Sequence, residues 1–136
     1  MAEYLLVDTN VLVRFFTGEP PQQAAKAREL VAKADADELV LVVLPLIVAE
    51  TIFTLESFYE MDRKDVASGL LKFLKARGIK VVEQQTVFDA LQRHHDFNVS
   101  IADTYLAAVA AGLGHKVASF DKDFDKFKDI TRYEIK

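Results

Sequence analysis

The sequence predicts an α/β protein built on a central, mostly parallel sheet of four to five strands flanked by helices. Three observations carry this. Apolar runs rich in Leu and Val at 4–7 and 39–43 lack the apolar–polar alternation of a half-exposed strand, as strands covered on both faces do. Segments with helical spacing of apolar residues separate the strand-like runs. The 136 residues contain no fixed-period repeat, low-complexity tract or linker, which predicts a single domain over 1–136.

The elements follow in order. Residues 4–7 form the first strand, and Asp8-Thr9-Asn10 opens a helix through Phe16. Gly18-Glu19-Pro20-Pro21 is punctuation. The stripe Ala24, Ala27, Leu30, Val31, Ala34 predicts a helix over 22–34, and Val-rich 39–43 a buried strand. Pro45 suits a helix start, which predicts a helix from Leu46 to about Tyr59. Asp62 and Asp65 mark the next helix entry, continued by Val66, Leu70, Phe73 and Leu74 and stopped at Gly78. A strand at 79–82, a helix over 86–95, a helix opened by Ser100 and closed by Gly112 and Gly114, and a strand at 116–119 complete the alternation. A short helical turn and an edge strand near Tyr133 end the chain.

Composition narrows the function. With no cysteine, a disulfide scaffold, a thiolate zinc site and a cysteine nucleophile are all excluded. The longest uncharged apolar stretch, 39–49, is too short to span a bilayer, and the N-terminus carries Glu3, lacks a basic segment and shows no small-residue cleavage site after an apolar core, so no signal peptide is expected. A soluble cytoplasmic protein is expected. The net charge of −4 does not suit nucleic-acid binding by bulk positive charge. That argument weakens where acids are concentrated at a bound cation, which reverses the local sign.

Four carboxylates stand where acids are costly. Asp8 and Asp121 follow strands, the end at which parallel sheets form ligand sites. Glu50 is the only charged residue between Leu39 and Leu55, so the expected helix is buried over most of its circumference and its acid needs a cation. Asp103 shares a helical face with Ala107 and Ala110, small residues that leave room for a ligand. Each has a plainer reading: Asp8 as a helix cap, Ser100-x-x-Asp103 as a capping box, Asp121 as a turn residue. Taken together, they predict a pocket of mutually repelling acids. Oxygen-only ligands without Cys or organised His suit Mg²⁺ or Mn²⁺.

Asp8-Thr9-Asn10 after the first strand, Glu50 early in an apolar helix, Ser100-Ile101-Ala102-Asp103 opening a helix, and Ser119-Phe120-Asp121-Lys122-Asp123-Phe124 after the fourth strand together resemble PIN-domain ribonucleases, most closely the VapC toxins of toxin–antitoxin modules. The resemblance covers nearly the whole chain. It implies a Rossmann-like sheet and a catalytic, metal-binding set of Asp8, Glu50, Asp103 and Asp121 that holds one or two Mg²⁺ or Mn²⁺. In the same family Thr9, Asn10 and Ser119 correspond to supporting polar residues. The family commonly has Thr at the position of Ser119, and its last acids vary, so Asp123 and Asp125 receive no role. The resemblance further implies RNA as substrate, a protein antitoxin, a homodimer and hydrolysis to a 3′-hydroxyl and a 5′-phosphate.

Six basic residues against two acids between Met61 and Lys80 (Arg63, Lys64, Lys72, Lys75, Arg77, Lys80), with Arg14 near the first acid and Lys116, Lys122, Lys126 and Lys128 near the last, are candidates for phosphate contacts. His94 and His95 have no partner at ligand spacing and read as ordinary helix-end residues. Phe15, Phe16, Phe53, Phe58 and Tyr59 read mostly as core, with some left for a dimer surface or an antitoxin groove. Two other readings compete: an aspartate-based phosphatase or phosphotransferase with Asp8 as nucleophile, and a non-catalytic PIN-like binding module. The first usually wants a second Asp where Asn10 stands.

Overall fold

The computed structural model describes residues 2–136, which divide into two compact units, one up to Gln84 and one over Gln85–Lys136. The first contains β1 (Glu3–Leu6), α1 (Thr9–Thr17), α2 (Pro21–Asp35), β2 (Leu39–Val43), α3 (Pro45–Ser57), α4 (Arg63–Leu74) and β3 (Ile79–Val81). Its three strands are all parallel in the order β1-β2-β3, with Leu5 opposite Leu41 and Val43 opposite Val81. β2 lies in the middle, and Leu41 and Val43 are almost fully buried, as its unbroken apolar run demands.

Local chemistry sets the boundaries. α2 and α3 each begin on the proline itself, Pro21 and Pro45, one residue earlier than expected, because a first-turn residue has no use for its N–H. Asp62 caps α4 as anticipated, accepting from the backbone N–H groups of Lys64 and Asp65. Gly78 enters β3 with φ +80°, and a Cβ there would stand 2.3 Å from the Ala34 carbonyl oxygen, so only glycine fits. Phe15 and Phe16 pack with Phe73 of α4, ring centroids 5.2–5.6 Å apart.

The second unit holds α5 (Gln84–Asp96) from its second residue on, α6 (Ile101–Leu113), β4 (Val117–Ala118), a 3-10 turn (Lys122–Lys126) and β5 (Arg132–Tyr133). β4 and β5 pair in parallel, and around them Val99, Ala107, Ala110, Val117, Phe124 and Phe127 form a buried core. Arg93 joins α5 to the end of the chain: its guanidinium grips Asp129 (Nη1 to Oδ1, 2.8 Å), binds Asp89 one turn back and lies over the Phe127 ring. His94 is buried with Nδ1 2.8 Å from the Val99 carbonyl oxygen, a structural role.

The single sheet of four to five strands is corrected to two sheets, of three and two strands. The reason is visible in Lys116-Val117-Ala118-Ser119, where only the two central residues are apolar. The resulting two-residue strand offers too short a ladder for a wide sheet.

Candidate active site

In the first unit the site begins where β1 ends. The Val7 N–H donates to the Val42 carbonyl oxygen (3.0 Å), extending the ladder by one residue, and Asp8 follows in extended conformation as the N-cap of α1. Its carboxylate accepts from the Thr9 N–H at 2.8 Å. The Thr9 hydroxyl in turn donates to Glu50 Oε1 at 3.0 Å. One threonine therefore ties together two carboxylates that lie 42 positions apart on β1–α1 and α3. Both acids are exposed, and neither forms an ion pair among the described residues.

The exposure of Glu50 corrects the expectation that its helix buries it. α3 has two faces: Val48, Thr51, Ile52 and Leu55 are buried, while Leu46 (70% exposed), Glu50 and Phe53 (69%) share the outer stripe. An uncharged sequence is not by itself a buried one, because folded surfaces carry much apolar area. Phe58 is likewise exposed rather than core.

In the second unit Ser100 caps α6, its hydroxyl accepting from the Asp103 N–H at 3.3 Å, which bears out the capping reading for the serine. Asp103 is half-buried in the first turn. Ala107 and Ala110 are part of the core around Phe124 and Phe127, so their small size serves helix packing. Asp121 caps the 3-10 turn, accepting from the Asp123 N–H at 2.8 Å, and its own N–H donates to the Ser119 hydroxyl at 2.9 Å. Arg132 donates to the Ser119 carbonyl oxygen and pairs with Asp125 at 3.1 Å. That hydrogen bond to Asp125 raises the Arg132 pKa, helped by the nearby charges of Glu134 and Asp121. Asp123 pairs with Lys126 at 3.2 Å, so both of the acids left without a role in the sequence reading have cationic partners.

A family model described as PIN domain matches residues 5–130. The chain belongs to the PIN domain family. A search of curated proteins gives no match. PIN domains are generally nucleases, with a fold of the nuclease type, and they usually bind divalent metal.

Whether these residues suit such a metal is a question of donor chemistry. Among the described residues no group of three or more His, Asp or Glu stands close enough to hold an ion. The Asp8–Thr9–Glu50 arrangement nonetheless fits a hard cation: its donors are all oxygen, and its two exposed carboxylates pair with no Lys or Arg among the described residues. Mg²⁺ commonly binds through one or two carboxylates, keeping waters and substrate oxygens for the rest of its shell.

Asn10, the remaining supporting residue, lines a cleft between α1 and α2 instead of contacting either acid. Two residues across that cleft, Gln23 and Lys26, escaped the sequence reading; their signal was their position beside the Ala24–Ala27–Leu30 stripe that packs α2. Of the candidate phosphate contacts in 61–80, Arg77 is engaged with Asp37, and Lys80 lies over the Tyr4 ring at 5.8 Å. No helix among the described residues is long and apolar enough to cross a membrane.

Proposed function

We propose that this PIN domain is a metal-dependent endoribonuclease, the toxin of a VapC-like toxin–antitoxin pair acting in the cytoplasm, with Asp8, Glu50, Asp103 and Asp121 as its catalytic and metal-binding carboxylates. The observation that carries this is the Thr9 bridge, which orients two exposed, cation-free carboxylates at the carboxyl end of a parallel strand. A bound Mg²⁺ or Mn²⁺ supplies Lewis-acid chemistry toward a phosphodiester oxygen and toward water. Asp8 gives Oδ1 to the helix cap, which leaves Oδ2 for ligation. Thr9 holds Glu50 by Oε1, which fixes the direction of Oε2. Asp103 and Asp121 contribute further oxygen donors, and Ser119 stiffens the backbone that carries Asp121. Water adds to phosphorus, the bond to the 3′ oxygen breaks, and that oxygen leaves protonated as a 3′-hydroxyl opposite a 5′-phosphate. RNA is the substrate; a protein antitoxin and a second copy of the chain are the partners. The exposed Leu46, Phe53 and Phe58 favour a protein partner over a bare solvated surface.

The test is incubation of the purified chain with RNA in Mg²⁺ or Mn²⁺ and in EDTA, beside Asp8→Asn. Metal-dependent cleavage that the variant loses supports the reading. Cleavage that persists in EDTA, or that Asp8→Asn leaves intact, overturns it, as does an aspartyl-phosphate trapped on Asp8 from a small phosphomonoester.

A further inference from the structure

The cleft between α1 and α2 has a composition that the carboxylate site does not explain. It encloses about 330 Å³, within the range of small-ligand sites. Val11 of α1 and Ala27 and Leu30 of α2 form an apolar floor. Two cations, Arg14 and Lys26, line the same cleft. Neither pairs with a carboxylate among the described residues, in a chain whose acids outnumber its bases. Arg14 is held instead by a neutral group: its Nε donates to Gln23 Oε1 at 2.9 Å. A glutamine in this position fixes the guanidinium plane without neutralising it, and both terminal amino groups are left to donate. A planar fork of this kind, oriented in advance, suits a phosphate. Asn10 lines the same cleft and follows directly on Thr9, so the cleft begins one residue from the carboxylate bridge.

We propose that the α1–α2 cleft is a subsite for one nucleotide of single-stranded RNA, with Arg14 and Lys26 on the phosphodiester, Asn10 on polar edges, and the base over Val11, Ala27 and Leu30. The choice of RNA as ligand rests on the nuclease reading above; the anionic, flat-faced character of the ligand rests on the cleft. Charge favours RNA over an apolar peptide, because an apolar peptide would leave two desolvated cations unpaired.

The test is fluorescence-anisotropy titration of a labelled single-stranded RNA of about twelve nucleotides. The full-length chain carries Asp8→Asn and is kept in EDTA, so that binding is read apart from cleavage. Lys26 is exposed, so Lys26→Glu is expected to fold; Arg28→Glu, a matched charge change on α2 outside the cleft lining, is the control. Lys26→Glu is expected to weaken RNA binding roughly tenfold and to flatten its salt dependence by about one unit or more of log–log slope, with Arg14→Gln acting in the same direction. Equal effects of Lys26→Glu and Arg28→Glu, or no effect of either, overturn the subsite; that result is also the one an acidic protein occupant would give. The two proposals fail separately. Loss of RNA binding in Lys26→Glu, with no cleavage by the otherwise wild-type chain in Mg²⁺ or Mn²⁺, keeps the cleft and removes the nuclease. Metal-dependent cleavage with RNA binding indifferent to Lys26 does the reverse.

Discussion

Asp8 performs two tasks that substitution can separate. As N-cap it satisfies an α1 donor, and asparagine does this as well as aspartate. Asp8→Asn is therefore expected to melt within about 0.5 kcal/mol of wild type while abolishing metal-dependent RNA cleavage. Asp8→Ala should lose activity and about 1 kcal/mol of stability besides, read by thermal or urea unfolding. Thr9→Val, which keeps shape and removes the hydroxyl, should lower cleavage about tenfold through a misoriented Glu50, with little change in melting. At the other end of the chain, Arg93 holds the Asp129 carboxyl below the usual carboxylate range, chiefly through its hydrogen bond, which outweighs the opposing effect of burial, and to a lesser extent through its charge. A lowered folded-state pKa means that this pair stabilises above the unfolded value of about 3.9 and that its contribution is lost as pH falls through the folded one. Asp129→Asn should accordingly flatten the acid side of the stability–pH curve. Its cost at neutral pH should be on the order of 1 kcal/mol, kept small by the exposure of the carboxylate.

At the scale of elements, the join of α4 to β3 is the tightest constraint. Gly78 combines a left-handed backbone with direct contact on the Ala34 backbone of α2, so no side chain can be accommodated without moving that helix. Gly78→Ala should cost roughly 2–4 kcal/mol, seen as a lowered denaturation midpoint with an unchanged slope. α3 shows how far its sequence could be read. Its existence, and its two ends to within one or two residues of Leu46 and Tyr59, were legible, because proline position and length are local properties. Which side of it faces solvent was not, because Leu46 and Ile52 are equally apolar and only the packing of neighbouring elements distinguishes them.

For the whole molecule, the net charge of −4 opposes RNA in bulk, so binding must come from local cations. Cleavage is expected to fall steeply with ionic strength, more steeply than any loss of stability, in assays between low and physiological salt. The exposed Leu46–Phe53 stripe makes a further expectation about assembly. Phe53→Ser should shift sedimentation toward the monomer while changing unfolding free energy by no more than about 0.5 kcal/mol.

The order of strands and helices and the caps at Asp8, Asp62 and Ser100 were determined by the sequence, since each depends on residues within a few positions of one another, and the family resemblance was determined by the order and spacing of its motifs along the chain. The division of the strands into sheets of three and two, the exposure of Glu50, and the Thr9 bridge joining residues from α1 and α3 were decided only by tertiary structure. Long-range pairing depends on which surfaces meet, and a linear pattern of apolar and charged residues does not record that.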